Sequence, residues 1–346
     1  MNRYTTKLNA RPGSQRLSSQ AGLSLVELMV AMTISLFLLA GVVQIFLGSK
    51  QSYRVNDGLS RLQENARYAF DRIAQDLNAG GYMGCNDSAS VDAKGALLLT
   101  NALTNAAATG YDFANPLDGT DNTGLNGSDT INIRRAVTAS AVPLAAPMAS
   151  TTSTILLDST HPNYATLQQW QVMALSDCNS TSVFMITNDP TTSAGVIEHT
   201  PGVIAPTGAP NEGQSNATTT INSVDYNDLK SRYGALTASQ ATAFRVATNS
   251  YSIQTSDSGT GFSLALNGTE LVEGVQDLQV LYGLDADGTP GVERYVSAND
   301  AALAAAGMNQ VAAVRLTLTM NTVSGVQVDG QPLTKQITQT FRLRNR

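Results

Sequence analysis

Residues 22–48 read GLSLVELMVAMTISLFLLAGVVQIFLG, an apolar run whose one ionisable residue, Glu27, lies near its start. From Leu23 to Gly48 the run is about 26 residues, or ~39 Å of helix, longer than the ~30 Å hydrocarbon core of a bilayer. A carboxylate in the middle of such a helix costs at least ~2.5–3.5 kcal/mol, so one that is kept there is expected to have a use and a partner. Residues 1–22 carry Arg3, Lys7, Arg11 and Arg16 and no Asp or Glu. A basic flank of that kind stays on the cytoplasmic side. In an ordinary secretory signal, an apolar core of about 7–15 residues precedes a small-residue cleavage site and is discarded. Here the small-residue junction Ala21-Gly22 comes first, so cutting there removes the leader and leaves the hydrophobic helix on the mature chain.

Gly22-Leu23-Ser24-Leu25-Val26-Glu27 resembles the cleavage motif of type IV prepilins. In that family a prepilin peptidase cuts after the glycine and methylates the new amino terminus. By this resemblance Gly22 and Leu23 are the processing residues, and Glu27 is the fifth residue of the mature protein. Arg61-Leu62-Gln63-Glu64-Asn65-Ala66-Arg67-Tyr68-Ala69, Gly80-Gly81-Tyr82-Met83-Gly84-Cys85 and Phe341-Arg342-Leu343-Arg344-Asn345-Arg346 are similar to segments of PilW-type minor pilins. Leu23 stands where Phe or Met is commoner, and Gln44 stands where major pilins carry a proline, which fits a minor subunit.

The resemblance implies a minor pilin that takes part in priming type IV pilus assembly and presenting a tip adhesin, in support of motility and adhesion. Its implied partners are the prepilin peptidase, other minor pilins, the major pilin, a PilY-type tip adhesin and the inner membrane. The implied location is a single pass of the inner membrane with a periplasmic head, then the fibre or its tip. The alternative is a J-type minor pseudopilin of a type II secretion system, against which stand the length of 346 residues and the PilW-like segments. The α-amine released at Leu23 is mostly cationic at neutral pH. In a filament it can meet the Glu27 carboxylate of a neighbour, each charge offsetting the other's desolvation, so the pair acts as a register device between stacked helices.

Composition narrows the rest. Loss of the basic leader moves the formal charge from −6 to about −10, which argues against nucleic-acid binding by the head. The densest cations are Arg134-Arg135 and the spaced Arg342, Arg344 and Arg346, with no continuous stripe or interleaved aromatics. No P-loop, Gly-x-Ser-x-Gly elbow or His-Glu-x-x-His helix is present, and His161 and His199 read as isolated loop residues, so no enzyme is expected.

Beyond the apolar run, Leu59, Leu62, Ala66, Ala69 or Phe70, Ile73 and Leu77 recur at spacings of three and four, the stripe of an amphipathic helix. Gln51, Arg54, Asp57, Arg61, Glu64, Arg67, Asp71 and Asp76 are expected to keep the other face wet. Gly80-Gly81 ends the helix. Gly41, Gly48 and Gly58 are either weak points that permit bending or small residues for close packing. From about residue 84, short alternating runs bounded by turn residues predict strands at 130–133, 154–157, 182–187, 250–253, 275–283, 314–320 and 335–344. The polar stretches 100–128 and 200–222 read as extended surface loops. Val314, Leu316, Leu318 and Met320 share one face of their strand; Ile337, Phe341 and Leu343 point inward from the last, whose outward Arg342 and Arg344 read as a solvated edge. The expected fold is α+β: a long helix packed on an antiparallel sheet with loop insertions. Its parts are a leader (1–22), a membrane or filament-core helix (23–48), an amphipathic continuation (49–80) and a periplasmic head (81–346).

Two local features remain. Cys85 and Cys178 are the only cysteines, and export to an oxidising compartment favours a disulfide, which closes a loop of about 94 residues. Asp285, Asp287 and Glu293, with Gly288 between, form a weak calcium candidate. Pro290 and Val296 break the twelve-residue calcium-loop pattern, so a turn joining two strands is the favoured reading and no metal or cofactor is expected.

Overall fold

The computed structural model describes residues 22–84, 86–87, 98–104, 106, 110–148, 154–177, 180–217, 220–221, 224–225, 241–285, 291–323, 326–328 and 331–344. The chain separates into two compact units, one ending at Asn56 and the other running from Asp57 to Arg346. One helix, α1 (Leu25–Ala79), contributes residues to both, so its last six turns belong to the head.

In the first unit the apolar side chains from Leu23 to Leu47 are open to their surroundings on every side of α1, with Phe37 82 % exposed. Helices apolar all round are built for lipid or for burial among other helices. Among the described residues α1 is the helix long and apolar enough to cross a membrane. Thr33, one of its few polar residues, donates its hydroxyl to the carbonyls of Met29 and Val30 at 3.2 and 2.9 Å and so needs no outside partner.

In the second unit the predicted stripe is buried: Leu62, Ala66, Ala69, Phe70, Ile73 and Leu77 all face the interior. Gly58 is a packing residue, because a Cβ there would meet Val326 Cγ1 at 3.2 Å and Thr322 Cγ2 at 3.3 Å; at Gly41 and Gly48 it would meet nothing within 4 Å. The helix stops where glycine permits a left-handed turn: Gly81 has φ +76° and donates its N–H to the Arg134 carbonyl at 2.9 Å.

Among the described residues the head holds two large sheets, beside four two-stranded pairs. The larger has eight strands: β1 (Leu99–Asn101), β2 (Leu117–Thr120), β3 (Thr130–Pro143), β4 (Val172–Ser176), β5 (Thr181–Met185), β6 (Thr242–Thr255), β7 (Phe262–Leu266) and β8 (Thr269–Glu273). The long β6 organises it. One edge of β6 pairs with β3, while the other pairs with β4 at its start and β7 at its end. The sheet is antiparallel except for β1, which lies parallel to β5. The smaller sheet comprises β9 (Val275–Leu284), β10 (Arg294–Val296), β11 (Val311–Asn321) and β12 (Thr334–Arg342), in the order β10-β9-β11-β12. Val314, Leu316, Leu318 and Met320 of β11 are completely buried, as the alternation requires. The α1 stripe packs into one core with residues of both sheets, including Ile131, Ile133 and Ile253 from the larger and Leu278, Val280 and Leu316 from the smaller. Phe70 of α1 meets Phe341 of β12 with ring centroids 6.3 Å apart.

Two expectations are corrected. The stretches 100–128 and 200–222 are not simple surface loops. They contribute β2, a 3₁₀ turn at Leu125–Gly127 and bridges pairing Leu103 and Pro201 with Asn216 and Ile204 with Ser215. Asn216, fully buried, accepts the Met185 N–H and donates to the Met185 carbonyl, both at 2.8 Å, so its amide continues the ladder beyond β5. The second correction is Asp76, expected on the wet face and in fact without solvent exposure. Its Oδ1 accepts from Arg135 Nη2 at 3.0 Å and Nε at 3.1 Å; its Oδ2 accepts from Tyr251 Oη at 2.6 Å, Asn249 Nδ2 at 2.7 Å and Arg72 Nη1 at 3.0 Å. The carboxylate thus ties α1 to β3 and β6. Burial opposes the Arg72 charge, but Tyr251 and Asp76 outweigh it and hold the guanidinium more firmly protonated than usual. Burial, then the Asp76 carboxylate, pushes the Tyr251 hydroxyl up from its ordinary range, so it stays a donor.

Asp76→Ala leaves Arg72 and Arg135 without their acceptor and is expected to destabilise the head by about 3–5 kcal/mol. Asp71→Ala, on the exposed face, should cost no more than about 0.5 kcal/mol. Urea midpoints of the detergent-solubilised chain measure both, and equal shifts would contradict the role given to Asp76.

Candidate processing and assembly site

Gly22, Leu23 and Ser24 precede α1 without regular structure, and Leu28 N–H donates to the Ser24 carbonyl at 3.1 Å to close the first turn. The Gly22–Leu23 bond therefore lies outside helical hydrogen bonding, and Leu23 is 73 % exposed. Nothing among the described residues requires glycine at position 22. A Cβ built there would meet nothing within 4 Å, and its φ lies outside the left-handed region that favours glycine.

Glu27 occupies the first turn of α1, where the helix dipole favours a negative charge. Among the described residues it enters no salt bridge; the recorded pairs are Arg61–Asp57, Arg72–Asp76, Arg134–Asp118 and Arg135–Asp76. It stands four residues after Leu23 on an exposed helix, so a donor supplied by another chain has open access to it.

The remaining candidates are placed as follows. Asp287 lies outside the described residues. Asp285 is buried and donates its N–H to the Gln310 carbonyl at 2.9 Å, while Glu293 N–H, just before β10, donates to the Leu284 carbonyl at the end of β9 at 2.9 Å. Among the described residues no three His, Cys, Asp or Glu side chains group in a way that could hold a metal ion. His161 Nδ1 accepts the Asn163 N–H at 3.3 Å at the start of a 3₁₀ turn, and His199 is buried edge-on to Phe184 with centroids 5.8 Å apart.

Arg134, one of the densest cation pair in the sequence, is internal. It is 2 % exposed and donates to the Gly110 carbonyl at 2.7 Å, the Asn115 carbonyl at 2.8 Å and Asp118 Oδ2 at 2.6 Å. With Arg135 engaged by Asp76, neither guanidinium forms a basic surface patch. Asp76, Asn249 and Tyr251 escaped sequence reasoning, although Asp76 continues the spacing of 62, 66, 69 and 73.

Cys85 and Cys178 lie outside the described residues, but their described neighbours touch. A Cβ built at Gly84 would come within 2.6 Å of Ser176 Cβ. Thr181 Oγ1 donates to the Met83 carbonyl at 3.1 Å, and Asp177 N–H donates to the Ser180 carbonyl at 3.2 Å.

Comparison with known families gives two matches. Residues 17–43 match the prokaryotic N-terminal methylation motif, and residues 243–345 match the type IV pilus-assembly protein W family. The first spans Gly22, Leu23 and Glu27; the second runs from β6 through β12. Neither curated proteins nor solved structures give a significant match.

Proposed function

We propose that this chain, with its methylation motif and PilW-type carboxy-terminal region, is a minor pilin that helps to prime type IV pilus assembly and to present a tip adhesin. The observation that carries the reading is the juxtaposition at the start of α1: a glycine with open space around it among the described residues, five residues before a carboxylate with no ion-pair partner among them, on a helix apolar all round. In this reading the peptidase removes residues 1–22 and methylates Leu23. α1 anchors the chain in the inner membrane with the head in the periplasm until other minor pilins and the major pilin take it into the fibre. Within the fibre the Leu23 amine of one subunit meets Glu27 of the next, where paired charges offset a burial that either alone would make costly.

The Cys85–Cys178 disulfide belongs to the same proposal. The close packing of Gly84 on Ser176 and the hydrogen bond from Thr181 to Met83 support it. A bridge would join the segment after α1 to the β4–β5 hairpin, contributing nominally ~4–5 kcal/mol in the chain-entropy model.

Intact mass should show that the wild-type chain loses residues 1–22 and gains one methyl group, and that Gly22→Leu does neither. Glu27→Ala should be processed and inserted normally, yet fall in sheared fibres by more than about tenfold, since each ~1.4 kcal/mol is a factor of ten. Wild-type incorporation of that variant would overturn the assembly role. A deletion strain that loses protein secretion but keeps twitching would instead assign the chain to a secretion piston.

For the disulfide, native protein from the periplasm should take up no alkylating reagent until reduced and then two equivalents, one at each cysteine. Two thiols alkylated without reductant would end the idea.

A further inference from the structure

We propose that β12 is a docking edge, to which an extended, carboxylate-bearing segment of a neighbouring subunit adds as a further strand. The inference rests on the chain being one subunit among several.

β12 closes one side of the smaller sheet. It pairs with β11 through nine consecutive residues, from Ala313 opposite Arg342 to Asn321 opposite Thr334, with no register shift. Leu343 N–H donates to the Ala312 carbonyl and Thr322 N–H to the Leu333 carbonyl, both at 2.9 Å, which fixes the phase of the ladder. Odd-numbered residues exchange their bonds with β11. The N–H and C=O groups of Gln336, Thr338, Thr340 and Arg342 therefore face away from it. Among the described residues no strand pairs with that side, and every residue of β12 except Ile337 and Phe341 is exposed.

Open edges are normally blunted by shortness, proline, a bulge or a charge set into the strand. The other edges of these sheets follow that practice. β1 and β10 have three residues each, and β2 has four. β8 has five, carries Glu270 and Glu273, and pairs with a register shift. β12 is nine residues long, and its centre, Gln336-Ile337-Thr338-Gln339-Thr340-Phe341, has none of these devices. Its outer face is already ordered: Thr338 and Thr317 hydroxyls lie 2.9 Å apart, and Gln336 Nε2 donates to Thr319 Oγ1 at 3.4 Å. A prearranged strand loses little freedom when another joins it.

Charge selects the occupant. β12 contains Lys335 and Arg342 and no carboxylate, Arg344 follows, and Arg315 Nε reaches Thr340 Oγ1 at 3.4 Å, all in a chain of formal charge −6. A second copy of β12 would bring four cations together with no counter-charge. An acidic segment places opposite charges at both ends of the strand, the arrangement favoured across a ladder.

Amide hydrogen exchange, read residue by residue, tests this in membranes of producing cells and in the detergent-purified chain. In membranes the amides of Gln336, Thr338, Thr340 and Arg342 should exchange at least about tenfold more slowly than in the purified chain, while Ile337, Gln339 and Phe341 stay protected in both. Lys335→Glu with Arg342→Glu should restore fast exchange at the four outward amides and leave the inward ones unchanged. Equal exchange in both preparations, protection that survives charge reversal, or protection of the purified chain that rises with its own concentration would each overturn the proposal, the last in favour of a second copy. A chain recovered in sheared fibres but unprotected at these amides sinks the docking edge and leaves the pilin reading intact; one protected in membranes yet absent from fibres does the reverse.

Discussion

A carboxylate with no solvent contact has to find its donors inside the protein, and Asp76 finds five, from Arg72, Arg135, Asn249 and Tyr251. Those donors come from three elements, so satisfying one side chain sets the angle and height at which α1 meets β3 and β6. The apolar stripe from Leu62 to Leu77 supplies the larger driving force, but apolar contact is non-directional and tolerates sliding. The hydrogen-bonded charges do not, because a shift of one residue would leave a guanidinium or carboxylate buried without a partner. Arg134 makes the same kind of connection one residue along β3, from the strand to the 110–118 segment.

Much of this architecture was legible in the sequence, and the parts that were not share a cause. The spacing of Leu62, Ala66, Ala69, Ile73 and Leu77 placed the helix face correctly, and alternation in 314–320 placed the buried side of β11, because both rest on apolar residues whose burial follows from solvent alone. Asp76 lies on the same helical progression as Ile73 and Leu77. Charge, taken by itself, put it on the wet face; apart from Arg72 one turn earlier, the partners that bring it inside lie 59 to 175 positions away in the chain. Asn216 and the 100–128 stretch went unread for the same reason. A polar residue that completes a backbone ladder looks in sequence like one that faces water.

The amino-terminal site was legible to a different degree. Gly22, Leu23 and Glu27 stood out in the sequence through their resemblance to a prepilin motif, and the structure adds two observations: a Cβ built at Gly22 meets nothing within 4 Å among the described residues, and Glu27 has no ion-pair partner among them. The cysteine pairing read from the sequence stands as a proposal, supported by contacts between Gly84, Met83, Ser176 and Thr181 that bring their described neighbours together.

α1 thus carries two carboxylates under the same physical demand. Asp76 lies where the head excludes water, and its donors are all supplied by this chain; it is a structural residue, complete in the monomer. Glu27 lies on a helix apolar enough for lipid or for a bundle of other helices, where a carboxylate also needs donors, and the described residues offer no cation. Either the group stays at a wet interface, or another molecule completes it. A wet interface explains the acid but gives no reason for Gly22, around which a Cβ would meet no described atom within 4 Å. The proposed peptidase, which would read the glycine and expose a cationic amine four residues before the acid, would account for both positions. In that proposal the Glu27 carboxylate, like the open edge of β12, is a point at which the chain meets its neighbours.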